Sequence, residues 1–158
     1  MVEKAERSAQ SIGKFKDIIK EFEESALQTQ AAALTTSDRL FMTSKKLDHI
    51  IFKNKTYSAI VSDKYENIAL ARHTECNLGK WYYSDKSVKY KDRQAFKDME
   101  QYHEQFHNLS IDLIEKLKKG EITSKDKDKV LQTLRAIEEN SMKIFEKLDE
   151  IVEEGVKA

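Results

Sequence analysis

Residues 130–151, VLQTLRAIEENSMKIFEKLDEI, decide the fold class of this chain. Their seam side chains recur at intervals of four and three residues, the spacing of an α-helix that packs against other helices along one face. Such a helix needs neighbours to cover its seam, and we therefore expect a helical bundle. The seam consists of Val130, Leu134, Ile137, Ser141, Ile144, Leu148 and Ile151.

The composition of the 158-residue chain supports this fold class, since it has no proline, four glycines and 35% charged residues, as in a domain of long helices. The formal net charge of zero removes the electrostatic reason to expect nucleic acid or a membrane surface as a partner. No apolar run reaches the ~18–20 residues that span a bilayer, and the N-terminus lacks a signal-peptide apolar core. The single cysteine excludes an intrachain disulfide, so we expect a cytoplasmic protein.

The N-terminal segment, residues 1–34, is predicted to form a coiled-coil helix with one apolar seam and charged flanks. A helix with a single apolar stripe is marginal alone, so we expect it to pair with a second copy in a parallel homodimer. The uncharged stretch 31–37 leaves open whether the helix continues or breaks at a cap on Thr36 or Ser37. The seam residues are Ile12, Phe15, Ile19, Phe22, Ala26, Thr29 and Ala33.

The chain is predicted to form four long helices that pack as an antiparallel four-helix bundle, with residues 35–158 as the bundle domain and a short helical turn between the second and third long helices. The full expectation is an all-α fold in which the N-terminal coiled-coil helix extends this bundle. The local signals are an apolar stripe from Leu40 to about Arg72, turn formers and aromatic residues from Glu75 to Asp92, a helix from Gln94 to Lys118, Gly120 as its stop, and a capping box at Thr123 and Asp126.

The metal-capable residues are clustered, because the four histidines and the one cysteine all fall between positions 49 and 107. His103 and His107 are four residues apart, so an α-helix places both imidazoles on one face. Each such residue alone is more typical of a core or surface side chain than of a ligand. Together with His49 and Cys76, they supply three nitrogens and one sulfur, a donor set that suits tetrahedral Zn²⁺.

The stretch Cys76-Asn77-Leu78-Gly79-Lys80-Trp81 has the composition of a ligand-bearing turn. Gly79 permits a tight backbone path, while Leu78 and Trp81 would pack into the bundle and keep water away from the metal.

Three pieces of the sequence together resemble the chemoreceptor zinc-binding domain: His49-Ile50-Ile51, CxLGxW at 76–81 and HxxxH at 103–107. The resemblance covers about residues 38–114, and Ile51 departs from the aromatic residue that is common in the family at that position. It implies a helical bundle that binds one zinc ion per chain through the three histidines and the cysteine named above.

The resemblance also implies a function. Such domains lie at the C-terminus of soluble bacterial chemoreceptors or control diguanylate cyclases, and they sense zinc or oxidants, notably hypochlorous acid. The implied partners are a chemoreceptor signalling domain in cis and, through it, a histidine kinase and its adaptor in chemotaxis. Residues 1–34 resemble the end of a receptor's signalling helix. Because the kinase-control hairpin is not in this chain, we expect a receptor fragment or a free-standing sensor.

Cys76 is the expected redox-reactive residue. A zinc-bound cysteine is a thiolate, which an oxidant converts to a sulfenic acid, a weaker ligand. The turn would then move with Leu78 and Trp81 and repack the bundle; zinc occupancy itself is the alternative trigger. Since metal binding requires neutral imidazoles, zinc affinity is expected to fall below pH ~6.5.

The surroundings of the metal must also carry charge, because zinc with one thiolate leaves +1 in a dry core. Asp48, Glu100 and Glu104 are sequence neighbours of the ligands and are candidates for this role, although each is also a typical surface charge. His73, three residues before Cys76, is a candidate reserve ligand, an outer hydrogen-bond donor or a solvated side chain.

Other classes of function remain open at this point. Glu100-x-x-His103 and Glu104-x-x-His107 both match the ExxH motif of di-iron proteins, but such a site needs one motif on each of two helices. A bis-histidine haem site leaves the Cys76 turn unexplained, and a metal-free or structural-zinc dimerisation module is a further alternative. We expect no enzyme, since four protein ligands leave no position for a reactive water.

Overall fold

The computed structural model describes residues 2–123 and 125–157 of the chain. Its regular secondary structure over those residues is entirely helical, which confirms the predicted all-α helical bundle. The backbone divides into two units, one up to Asp38 and one from Arg39 onward. The elements are α1 (Val2–Val61), α2 (Asn77–Tyr82), a 3₁₀ helix (Asp85–Tyr90), α3 (Gln94–Lys118) and α4 (Lys127–Lys157).

The first unit belongs wholly to α1. Its large apolar side chains are exposed, Phe15 and Phe22 among them, as a helix seam without a covering partner would be. The stretch 31–37 is continuous helix, because the hydroxyls of Thr35 and Thr36 donate to the carbonyls four residues earlier at 3.0 and 2.8 Å rather than capping a new helix. The homodimer remains a prediction.

The second unit is a bundle of three long helices: α1 from Arg39, α3 and α4. Lys46 pairs with Asp149 and Lys53 with Glu138, so α1 and α4 run antiparallel. The α4 seam predicted from the sequence faces inward, and Ile137, Ile144, Leu148 and Ile151 are fully buried. Each such side chain stabilises the fold by about 1.5–3 kcal/mol relative to an exposed one. The core also contains Met42, Ile60, Leu78, Trp81, Phe96, Met99, Phe106, Leu113 and Ile114.

The predicted stripe from Leu40 to about Arg72 was too long, because α1 ends at Val61. The N–H of Asp63 donates to Ile60 at 3.2 Å and the N–H of Lys64 donates to Ala59 at 2.9 Å, which is the Schellman pattern of a helix end. Asp63 takes the left-handed conformation (φ 56°) that glycine usually supplies, so the sequence shows no glycine stop there. Because α1 is continuous through residues 31–37, it takes the place of the first two of the four predicted long helices, and the described residues contain three long helices.

The stop and start signals around residues 118–127 are found where they were predicted. Gly120 has φ 71°, just after α3 ends. The carboxylate of Asp126 accepts from the backbone N–H of Thr123 at 2.8 Å, which is one of the two hydrogen bonds of a capping box, and α4 follows directly. Among the described residues, no helix combines the length and the apolarity needed to cross a membrane.

Candidate metal centre

The structure brings together the four residues that the sequence singled out. His49 lies on α1, Cys76 precedes α2, and His103 and His107 lie one turn apart on α3. Their potential ligand atoms all lie within 4.8 Å of one another. The three imidazoles are at most 2% exposed, whereas Cys76 is partly exposed.

The helical period explains the placement of the histidines. Met42, His49 and Thr56 are seven residues apart and all three are buried, so they share the inward face of α1. On α3, His103 and His107 continue the buried face on which Met99 and Phe106 also lie. The ring centroids of His49 and His103 are 5.1 Å apart, and those of His103 and His107 are 5.0 Å apart.

The orientation of two imidazoles is set by backbone carbonyls. Nδ1 of His49 donates to the Lys45 carbonyl at 3.0 Å, and Nδ1 of His107 donates to the Ala71 carbonyl at 2.8 Å. Because a carbonyl can only accept, each ring carries its proton on Nδ1 and leaves the Nε2 lone pair free. Both Nε2 atoms are buried and have no hydrogen-bond partner, while Nε2 of His103 lies 3.2 Å from the Cys76 sulfur.

The Cys76 turn is held by short-range contacts. Cys76 is the N-cap of α2: its sulfur accepts from the Gly79 N–H at 3.3 Å, and its thiol lies 3.3 Å from the His73 carbonyl, to which it can donate. A Cβ at position 79 would lie 1.8 Å from the carbonyl oxygen of His73, so only glycine fits. Leu78 is fully buried and Trp81 nearly so.

Trp81 connects this turn to the rest of the bundle. Its ring centroid lies 5.3 Å from that of Phe41 on α1 and 5.7 Å from that of Phe96 on α3. Aromatic pairs at this separation add to the apolar burial that holds the short α2 in place.

Burial determines the charge of the ligands before a metal binds. It lowers the pKa of His49 from 6.5 to about 4 and that of His107 to about 3, to which the nearby His103 side chain contributes. Burial also raises the pKa of the Cys76 thiol. At neutral pH, His49 and His107 are therefore uncharged and the cysteine is protonated.

The donor set fits zinc. Zinc bonds of ~2.0–2.1 Å to nitrogen and ~2.3 Å to sulfur give donor–donor separations of about 3.4–3.6 Å, so the four atoms reach tetrahedral geometry by small movements. The two unpartnered Nε2 atoms would gain a bond each. A di-iron centre needs several carboxylate ligands, whereas Glu104 is exposed.

The other predicted residues are placed differently from one another. Glu100 lies beside the cluster: one oxygen accepts from the Tyr83 hydroxyl and lies 3.4 Å from Nε2 of His73, and the other lies 3.7 Å from Nδ1 of His103. Burial acts to raise the pKa of Glu100, but the His103 and Tyr83 side chains outweigh it and the pKa lies below its ordinary value. Asp48 instead forms an ion pair with Lys45 at 3.6 Å.

Sequence reasoning missed three of these contacts. Tyr83 was predicted only as a bulky packing residue, yet its ring is largely exposed and its hydroxyl donates to Glu100. The carbonyls of Lys45 and Ala71 have no signal in a sequence, because every residue type carries the same backbone carbonyl.

A helical bundle with a buried site of three histidines and one cysteine defines a class of metal-binding helical domain. Residues 49–114 match the family model of the chemoreceptor zinc-binding domain, which confirms the resemblance predicted from the sequence. All four clustered residues lie within the matched region. No curated protein and no solved structure matches the chain.

Proposed function

We propose that this protein is a cytoplasmic sensory domain that binds one zinc ion through His49, Cys76, His103 and His107 and responds to oxidants at Cys76. The observation that carries the proposal is the convergence of these four donor atoms within 4.8 Å, inside the region that matches the zinc-binding family. The role is regulatory rather than catalytic, because four protein donors fill a tetrahedral zinc site.

Cys76 is suited to be the reactive group. It is the only cysteine of the chain, and it is partly exposed while the three histidines are buried. Bound zinc would hold Cys76 as a thiolate, the form that attacks electrophilic oxidants. Without it, burial keeps the sulfur protonated because the pKa of the thiol is raised.

The oxidation itself uses hypochlorous acid as the oxidant. The Cys76 sulfur gives an electron pair to chlorine and hydroxide leaves; water then replaces chloride on sulfur, which yields the sulfenic acid and a proton. Sulfur loses two electrons and chlorine leaves as chloride.

The contacts of the Cys76 turn provide a path for the signal. Loss of the sulfur contacts to His103 and to the Gly79 N–H would release the N-terminus of α2. Trp81, one turn later, packs on Phe41 of α1, so a shift of α2 would displace the Phe41 side chain and with it α1. We propose that α1 passes the change to a chemoreceptor signalling domain in cis, and through it to a histidine kinase and adaptor, with the exposed seam of residues 12–33 forming the homodimer.

Zinc occupancy is a second candidate stimulus, and one contact favours it. The Cys76 thiol already lies 3.3 Å from the His73 carbonyl, so the protonated sulfur has a hydrogen-bond partner when it leaves the metal. The raised pKa of the thiol favours that protonated state.

The first test is the metal content of the full chain. We expect one zinc per chain, negligible iron and no haem or oxo-iron absorption band. Protein purified without zinc that also fails to bind added zinc would overturn the proposal.

The second test separates the two stimuli. Trp81 is the only tryptophan, so its fluorescence reports movement of α2. Stoichiometric hypochlorous acid should add one oxygen to Cys76 and change the Trp81 emission of the zinc-loaded protein, and Cys76→Ser should abolish both changes. An equal response in Cys76→Ser would reject oxidant sensing, and zinc-dependent emission in wild-type protein would then support zinc sensing.

A further inference from the structure

We propose that Glu100 is the positioning residue of the metal centre. Its carboxylate accepts a hydrogen bond from the Nδ1–H of His103 and balances the charge of the bound ion. The proposal rests on the zinc site proposed above. It selects one residue from the three acidic sequence neighbours of the ligands.

A comparison of the three imidazoles supports this role. His49 and His107 each donate from Nδ1 to a backbone carbonyl, at 3.0 and 2.8 Å. His103 turns its Nε2 toward the Cys76 sulfur, and its Nδ1 faces Glu100 rather than a carbonyl. The carboxylate therefore takes the place that a carbonyl occupies at the other two rings, and it brings a full negative charge with it.

The unpartnered buried atoms support the same pairing. Within the described residues, the buried side-chain atoms without a hydrogen-bond partner include Nδ1 of His103 and Oε2 of Glu100. These two atoms lie 3.7 Å apart, so an approach of about 0.8 Å gives an ordinary charge-assisted hydrogen bond and satisfies both. The Nε2 atoms of His49 and His107 are also unpartnered, and zinc accounts for them.

The charges around the site leave Glu100 as the balancing group. Zinc with one thiolate carries +1, which a carboxylate in contact with a ligand neutralises. Asp48 is already paired with Lys45, and Glu104 is exposed. The second oxygen of Glu100 accepts from the Tyr83 hydroxyl, which fixes the direction of the carboxylate.

The structure offers a matched pair of variants for the test. Glu100→Gln and Glu104→Gln remove the same charge one turn apart on α3, beside the cluster in the first case and on the surface in the second. Chelator competition on the full chain should show zinc binding weakened about 10–100-fold in Glu100→Gln and less than about twofold in Glu104→Gln. If wild-type protein binds zinc and the two variants bind it equally well, the role of Glu100 is refuted and the zinc site stands.

A measurement on the unaltered protein keeps the test independent of how the variants fold. Long-range ¹H–¹⁵N correlation spectra of the zinc-loaded wild-type chain should place the His103 proton on Nδ1, with a downfield proton shift typical of a carboxylate acceptor. Glu100→Gln should move that signal upfield, and Glu104→Gln should not. A shift that is the same in all three proteins would overturn the proposal, and failure of wild-type protein to bind zinc would overturn the proposed function with it.

Discussion

Acidification of the metal-free protein from pH 7 to pH 5 should lower its free energy of unfolding by about 4 kcal/mol through His49 and His107 alone. Their pKa values in the folded state are about 4 and about 3, below the ordinary value of 6.5. Between pH 6.5 and these values the unfolded chain binds more protons than the folded one, so stability falls as the pH falls. At pH 5 an unfolded imidazole is stabilised by protonation by about 2 kcal/mol, while the folded rings remain neutral.

Urea titrations followed by circular dichroism, in the presence of a chelator, measure this loss. His49→Gln removes one of the two titrating rings, so the pH-dependent loss should shrink by about 2 kcal/mol, and His49→Gln/His107→Gln should remove nearly all of it. Because the carboxylates that titrate near pH 5 are the same in the variants and in wild-type protein, the comparison removes their contribution to the loss of stability. If the double variant loses as much stability as wild-type protein, the assignment of the lowered pKa values to buried imidazoles is wrong.

Three further outcomes are expected. Zinc binding at pH 7 should release about one proton from the Cys76 thiol, and Cys76→Ser should release one proton fewer than wild-type protein, as calorimetry in buffers of different ionisation enthalpy can measure. A release of three or more protons would contradict neutral His49 and His107. Gly79→Ala should destabilise the domain by about 1–3 kcal/mol or more, because its Cβ would overlap the His73 carbonyl. Gly13→Ala, which has open space around its Cβ, should instead stabilise its helix by up to about 1 kcal/mol. Equal melting temperatures for the two variants would contradict this expectation. Deletion of residues 1–34 should convert a dimer to a monomer in light scattering. If each particle contains the same number of chains before and after the deletion, pairing through that seam is refuted.

The helical pattern of this protein is readable from its sequence because side-chain periodicity is a local property. The seam from Val130 to Ile151 and the Gly120 stop required no knowledge of the fold. The end of α1 was misplaced, because Asp63 adopts a left-handed conformation for which glycine is the usual signal, and the apolar residues beyond it continued the stripe.

The sequence alone determined that the chain is helical and which four side chains were the best candidates to hold zinc, with His73 as a possible reserve, since residue type and spacing carry that information. Only the tertiary structure decided how these side chains are oriented and which groups they contact. It placed the carbonyls of Lys45 and Ala71 against two imidazoles and, among three nearby acidic residues, brought Glu100 to His103. The physical reason is that carbonyl directions, burial and the pairing of charges arise when segments distant in the chain pack together, and no local pattern of side chains encodes them.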